Sequence, residues 1–407
     1  MRVEVLLPLA AALSLPLVQA AGQDPFGMLH TDSRAAGRFV AARRPVREGE
    51  PAAWAWARAA RFRGISGQEY GESSVARSWV TPARHTFEFS GPTMGATFAV
   101  KVVISPDRLD SDGRRELERA ILAELDSIDR LMSTWDPDSE LSRFNRSASL
   151  EPFAVSVATF EVLRWALELA ALTGGALDVT IAPLVDAWGF GPGGPRSRRP
   201  SDAEIAWLRE ATGAGRLELD PTARTVRKTR PDVRCDVSSL APGYAADRLW
   251  AELAGRGFTD FLVDIGGELR TRGRNHEGEP WRIAIDRPQA HGQATQRIVP
   301  VSNLAIATSG DYRNYREVDG QRVAHILDPR TGRPLAHRLA SVTVIDDLAV
   351  RADGLATGLM VLGGDEGIAL AEQLNLAALF IVRTDTGFAE RATSRFEEVT
   401  ATGPDTP

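Results

Sequence analysis

Asp353 and Thr357 stand four residues apart in the run Asp346–Gly363, where nearly every neighbour is small or apolar. Helical spacing puts the two side chains on one face, one turn apart. Two hard oxygen ligands on a face cleared of bulk suit Mg2+, which keeps several waters and takes its remaining ligands from a substrate's phosphates. The pair therefore points to phosphate chemistry. The same two residues also fit a helix N-cap and a back-bonded helix hydroxyl, so this run alone leaves both readings open.

Other chemistry-bearing residues are sparse. Of six histidines, His325 is the one placed for proton handling: it ends a strand-like run three residues before Asp328, whose carboxylate could orient its ring. A histidine simply bonded at a turn is the alternative. Gly266-Gly267-Glu268 follows a strand pattern and lets backbone approach a ligand closely, or makes a bulge. Ser309-Gly310-Asp311-Tyr312 offers a hydroxyl and amides to a phosphate, or is only a turn. Gly189-Phe-Gly191-Pro-Gly193-Gly194 formally matches a dinucleotide-binding glycine pattern. It leads into Pro195 and Pro200, however, so no helix can begin there to present its N-terminus to a pyrophosphate. That reading is rejected. The chain carries no Gly-x-x-x-x-Gly-Lys-Ser/Thr, Gly-x-Ser-x-Gly, His-Glu-x-x-His or paired-cysteine metal site.

The elements that must hold these residues mix helices and strands in no repeating order, which argues for an α+β arrangement over a doubly wound sheet. A hairpin is predicted over His85–Ser90 and Thr97–Ser105. A helix follows over Arg114–Ser133, with Leu117, Ile121, Leu122, Leu125, Ile128 and Leu131 at helical spacing. Further helices are expected at Ser156–Leu172, from a Ser201/Glu204 capping box to about Ala211, and at Tyr244–Arg256. Strands read at Phe261–Val263, Trp281–Asp286, Leu304–Thr308, Val323–Leu327 and Ser341–Ile345. After the Asp353 helix come a separate helix at Glu366–Leu374 and strands at Leu379–Val382 and Phe388–Glu390.

Bulk composition bounds the remainder. A chain of 407 residues, 43% hydrophobic and 25% charged, buries a sizeable core. A net charge of -6 gives no electrostatic case for nucleic acid or an anionic membrane surface as partner. Cys235 is the only cysteine, so no intramolecular disulfide forms. An apolar run over Val5–Val18, broken by Pro8 and Pro16 and ending Val18-Gln19-Ala20, reads as a secretory signal over residues 1–20, too short for a spanning helix. Export, to a bacterial periplasm, is the expectation, with no transmembrane span. Residues 21–86, rich in Ala, Arg, Gly and Pro, read as an extension; 87–399 form the main domain and 400–407 a polar tail.

Several segments together resemble one family. They are Gly-Pro-Thr-Met-Gly-Ala-Thr (Gly91–Thr97), the Met132–Asn145 stretch ending Ser-Glu-Leu-Ser-Arg-Phe-Asn, Leu177–Gly191, Pro-Gly-Tyr-Ala-Ala-Asp (Pro242–Asp247), Asp-Ile-Gly-Gly-Glu (Asp264–Glu268), Thr308–Tyr312 with His325–Gly332, and Ala352–Thr357. In this order, over about Phe87–Phe396, they resemble the FAD:protein FMN transferases, the ApbE-like flavin transferases. The resemblance implies the family's mixed α+β fold with FAD bound in a cleft. It also implies Mg2+-dependent transfer of FMN from FAD, the substrate, to a Ser or Thr hydroxyl of an exported or membrane redox protein, releasing AMP. FAD hydrolysis to FMN and AMP, or flavin binding without catalysis, are the alternatives. Carried onto this chain, Asp353, Thr357 and the Ala241 carbonyl hold the metal, and His325 contacts phosphate or takes the hydroxyl proton. Trp135 stands where the family has an adenine-stacking aromatic. Met94, Asp178, Gly266, Gly267, Glu268, Ser309 and Asp311 complete the FAD site. One departure is Pro242, where members typically carry a lysine; it removes a cation and a backbone donor.

Overall fold

A computed structural model describes residues 84–401, apart from 197, 290–293, 312–314 and 319–320. The expected signal segment, nearly all of the extension and the tail beyond 401 lie outside the described residues. Eight strands form one antiparallel sheet in chain order: β1 (His85–Thr93), β2 (Ala96–Ile104), β3 (Phe261–Ile265), β4 (Glu268–Arg272), β5 (Ala305–Gly310), β6 (Leu339–Asp346), β7 (Ala377–Thr384) and β8 (Gly387–Ala392). Helices α1 (Ser111–Met132), α2 (Glu140–Arg146), α3 (Val157–Leu172), α4 (Ala182–Ala187), α5 (Asp202–Arg209) and α6 (Ala241–Gly255) fall between β2 and β3. Helix α7 (Ala349–Gln373) joins β6 to β7, and α8 (Ser394–Ala401) follows β8.

Strand alternation divides the core between the two sheet faces. Val263, Ile265, Ala307, Val344 and Phe380 point toward one cluster, shared with Leu249 of α6 and Leu355 and Leu359 of α7. Their neighbours Leu262, Ile306, Ile345, Leu379 and Ile381 point to the other, covered by Trp281, Ile283 and Val299 of the hairpin Trp281–Asp286/Thr295–Val301 and by Phe396 of α8. The inner strands β3, β6 and β7 are thus buried on both sides although every pairing is antiparallel, which is why they read as near-continuous apolar runs.

Local signals place most helices. Asp110 caps α1 through the Gly113 amide at 2.8 Å, and Leu117, Ile121, Leu125, Ile128 and Met132 form its buried stripe, while Leu122 is exposed. The Ser201/Glu204 capping box opens α5 as expected. Several elements differ from expectation. Helix α6 starts at Ala241, three residues early, because Pro242 sits in the first turn, where its missing N–H costs nothing. The helix expected at Glu366–Leu374 is present as the second part of α7, which breaks at Gly363 (φ 84°) and then resumes. The strand expected over Val323–Leu327 is broken, since Gln321–Ala324 pairs with Tyr315–Val318, and Leu327–Asp328 pairs with Arg333–Pro334. Strand β4, unforeseen, begins at Glu268, so Gly266 and Gly267 (φ 70° and 112°) form a two-residue hairpin turn and not a bulge.

Candidate active site

The first turns of α6 and α7 meet at Gly243. Its amide donates to Asp353 Oδ2 at 3.1 Å, and a Cβ placed on it would lie 2.5 Å from the Ala349 carbonyl oxygen and 2.9 Å from Asp353 Cβ. Only glycine permits this approach. Asp353 therefore does act as a cap, but for the neighbouring helix, and no other donor reaches its carboxylate among the described residues. It is 1% exposed, and burial, reinforced by the facing Glu268 carboxylate, holds its carboxyl well above the usual carboxylate range. Ala241, two residues before Gly243, is buried in the same turn. Thr357, one turn on from Asp353, has its Oγ1 2.9 Å from Ser309 Oγ on β5. The helix does not keep its glycines to clear this face: Cβ atoms at Gly354 and Gly358 would strike Leu169, Leu240 and Thr173, so those positions serve packing against α3 and the start of α6.

Thr357 and Ser309 line a cavity of about 90 Å³ together with Asp178, Asp236, Phe190 and His325. Ser309 lies within β5, opposite Val342, and not in a turn. Asp178 is buried; its Oδ1 accepts from the Thr180 amide (2.8 Å) and hydroxyl (2.6 Å), and burial raises its carboxyl from the ordinary value. Trp135 faces a second cavity of about 400 Å³ whose walls include Asn145, Arg146, Asp186, Arg234 and Asp236. Val185 and Asp236 line both cavities, so the two are adjacent lobes that share part of a wall.

Met94 and Gly266–Glu268 line neither lobe. Met94 (φ 45°) and Gly95 (φ 70°) make the β1–β2 turn, and the Gly266 amide donates to the Thr97 carbonyl at 2.9 Å, so the two hairpin turns lie side by side. Glu268, 1% exposed, connects them electrostatically to Asp353. Asp311 is also off both cavity walls; its carboxylate takes a two-pronged ion pair from Arg383 on β7, with Nη1 to Oδ2 at 3.0 Å. Asp328 does not stand as a simple ring-orienting partner for His325: it accepts from the Arg330 amide at 2.8 Å and pairs with the Arg330 guanidinium at 3.0 Å.

Comparison with protein families matches residues 94–380 to the ApbE family. The chain belongs to the ApbE family. A curated relative, the FAD:protein FMN transferase of Vibrio cholerae, is 46% identical over 308 residues, spanning 76% of this chain and 91% of its own length. Among solved structures, the flavin transferase ApbE from Vibrio cholerae is 44% identical, with a TM-score of 0.71 over 77% of this chain and 99% of that one. The Pseudomonas stutzeri flavinyl transferase ApbE, apo form, is 40% identical, also with a TM-score of 0.71, over 79% of this chain and 98% of that one. The mixed α+β architecture described above is the fold of these ApbE structures.

Several residues of the lobes escaped the sequence reading. Asp236, buried and with its carboxyl raised by that burial, stands in the wall of both lobes; its amide donates to the Val179 carbonyl at 2.7 Å. Asn145 clamps the preceding residue, its side chain bonding both the Cys235 amide and carbonyl at 2.7 Å. Asp186 on α4 pairs with Arg234 at 2.5 Å, and Gly191 must be glycine because any Cβ there would overlap Asp186 Oδ1. The glycine run rejected as a dinucleotide fingerprint thus builds a wall of the larger lobe, by close approach and not by a helix N-terminus. The available signal was Asn145 itself, the last residue of the Ser-Glu-Leu-Ser-Arg-Phe-Asn segment.

Proposed function

We propose that this chain transfers the FMN half of FAD to a Ser or Thr hydroxyl of an acceptor protein and releases AMP. The observation that carries the reading is the pair of adjacent lobes. An indole face stands in one, suited to a purine, and a histidine with two hydroxyls stands in the other, beside a buried carboxylate. A dinucleotide joined by a pyrophosphate has that two-ended shape.

Asp353 and Glu268 set two buried carboxyl groups at the foot of α7, and Asp353 has an oxygen left over once Gly243 is satisfied. That donor set fits a hard divalent cation, with Asp353, Thr357 and the Ala241 carbonyl as its protein ligands. They would hold Mg2+, which would supply neutralisation of charge on the pyrophosphate and on the departing AMP. Trp135 holds adenine, with Asp178 and Asp236 lining the path toward the phosphates. The turns carrying Met94 and Gly266–Gly267 bound the flavin end, and Pro242 leaves the entrance to α6 without the cation that family members typically place there. In the transfer step the acceptor oxygen bonds to the FMN-side phosphorus as the bond from that phosphorus to the bridging oxygen breaks. AMP carries away the electron pair, and His325 receives the hydroxyl proton.

The apolar segment at residues 5–18 supports an exported enzyme acting on periplasmic or membrane-bound redox proteins. Incubation of the purified protein with FAD, Mg2+ and candidate exported flavoproteins tests the reading. Transfer predicts AMP in equal amount to flavin that stays on the acceptor through a denaturing gel. AMP without labelled acceptor identifies a hydrolase, and bound FAD without AMP a silent flavin binder.

A further inference from the structure

Neither α6 nor α7 caps itself. Each has leucine at its N-cap, Leu240 and Leu348, and neither leucine can bond the orphan amides of a first helical turn. Each helix instead takes its cap from an aspartate of the other. Asp353 of α7 accepts from Gly243 of α6, and Asp247 of α6 accepts from two amides of α7: Ala349 to Oδ1 at 2.9 Å and Val350 to Oδ2 at 3.1 Å. Arg270 on β4 completes Asp247 with an ion pair of 2.7 Å to Oδ1, itself stacked over Trp250 with 4.3 Å from Cζ to the ring centroid. The Asp247 and Arg270 side chains are only 12% and 15% exposed, so this is an internal brace.

The brace acts where the metal ligands converge. Ala349, held by Asp247, is the residue whose carbonyl abuts Gly243, and Asp353 lies one turn further along α7. Ala241 lies in the same α6 turn as Gly243. Asp247 therefore fixes the distance between the two first turns that supply ligands, without itself facing either lobe.

We propose that Asp247 is a positioning residue of the metal site, setting the spacing of the Ala241 carbonyl and Asp353 by capping α7 in trans; this rests on the metal reading given above. Partners one step removed from metal ligands typically cost about 10- to 100-fold in metal affinity when removed. The cap also orders the helix start, and loss of a cap frays the first turn.

The test measures Mn2+ binding to the full chain by electron paramagnetic resonance, alongside hydrogen exchange across residues 348–353 and thermal melting. Four proteins are compared: wild type, Asp353→Ala, Asp247→Ala and Asp247→Asn. Expected are loss of Mn2+ binding in Asp353→Ala, and a Kd about 10- to 100-fold higher in Asp247→Ala. Faster exchange in 348–353 should accompany it, and turnover should recover at saturating Mg2+, a rise in the metal requirement more than a fall in kcat. Asp247→Asn, which keeps the size but can accept only one of the two amides, should show a smaller rise in Kd and decides the matter if the alanine variant does not fold. An unchanged Kd in both Asp247 variants, with melting lowered, would overturn the proposal and leave a purely structural brace. If wild type takes up no Mn2+, or Asp353→Ala binds as wild type does, the metal reading itself fails and this inference with it.

Discussion

Replacing Gly243 by alanine is the smallest change that probes the junction of α6 and α7. The added carbon would sit 2.5 Å from the Ala349 oxygen and 2.9 Å from Asp353 Cβ, against at least 3.4 Å for an ordinary contact. The obstructing atoms are backbone and the root of a side chain, so relief requires the helices to part by about 0.9 Å. Overpacking of this kind costs about 1–3 kcal/mol, within the roughly 5–15 kcal/mol by which domains are stable, so the fold survives. The proposed metal site should not. Mg2+ holds its ligands at about 2.0–2.1 Å with tolerance near 0.2 Å, and the same movement stretches the 3.1 Å bond from Gly243 to Asp353 past hydrogen-bonding reach. Melting should therefore fall by only a few degrees. The Mg2+ concentration for half-maximal AMP release should rise at least about tenfold, the scale set by disturbing a ligand's support. A wild-type Mg2+ requirement in a folded Gly243→Ala protein would refute the argument that this contact sets ligand spacing.

Three further outcomes follow from the geometry. Trp135→Ala should raise the Kd for FAD by about 5- to 150-fold, the equivalent of one base stack at about 1–3 kcal/mol, read from flavin fluorescence; an unchanged Kd would remove Trp135 from the adenine end. Burial lifts the Asp264 carboxyl from 3.8 to about 7, with Lys101 opposing. Because the folded state holds that proton more tightly, the stabilisation is present below about pH 4 and is lost as pH rises through 7, by at most about 4 kcal/mol. Asp264→Asn, which can still accept from the Gly267 amide, should flatten the fall in stability between pH 4 and 7 in denaturant titrations; equal slopes in the two proteins would contradict this. Lys228, 1% exposed, donates to the carbonyls of Asn145 (3.2 Å) and Ser147 (2.8 Å) at the end of α2. Lys228→Met should cost about 1–3 kcal/mol, since it orphans carbonyls beside the residue that clamps Cys235; urea midpoints unchanged from wild type would show those carbonyls to be satisfied otherwise.

What could be read without coordinates was whatever depends on local pattern. The stripe from Leu117 to Ile128 and the Ser201/Glu204 box carry their own geometry, and the apolar strands alternate between two buried faces. Asp353 and Thr357 were singled out by four-residue spacing and Ser309 by its polar motif, but the contacts of Asp353 with Gly243 and of Thr357 with Ser309 were not legible, because they bridge 110 and 48 positions of chain. Asp236 and Asp186 lacked any local signature: each acquires its place only when α4, the segment before α6 and the Gly189–Gly194 loop fold together. Asp311 shows the converse. Its position in a polar motif suggested a ligand contact, while its ion pair with Arg383, 72 residues later, could not be read from that motif.

The central claim is that one FAD molecule spans both lobes. A crystal structure of the protein with FAD and Mg2+ tests it most directly. Adenine is expected against the Trp135 indole, with the pyrophosphate passing Asp236 toward Thr357 and His325 and the metal on Asp353. Adenine bound away from Trp135, or a pyrophosphate remote from Thr357, would contradict it.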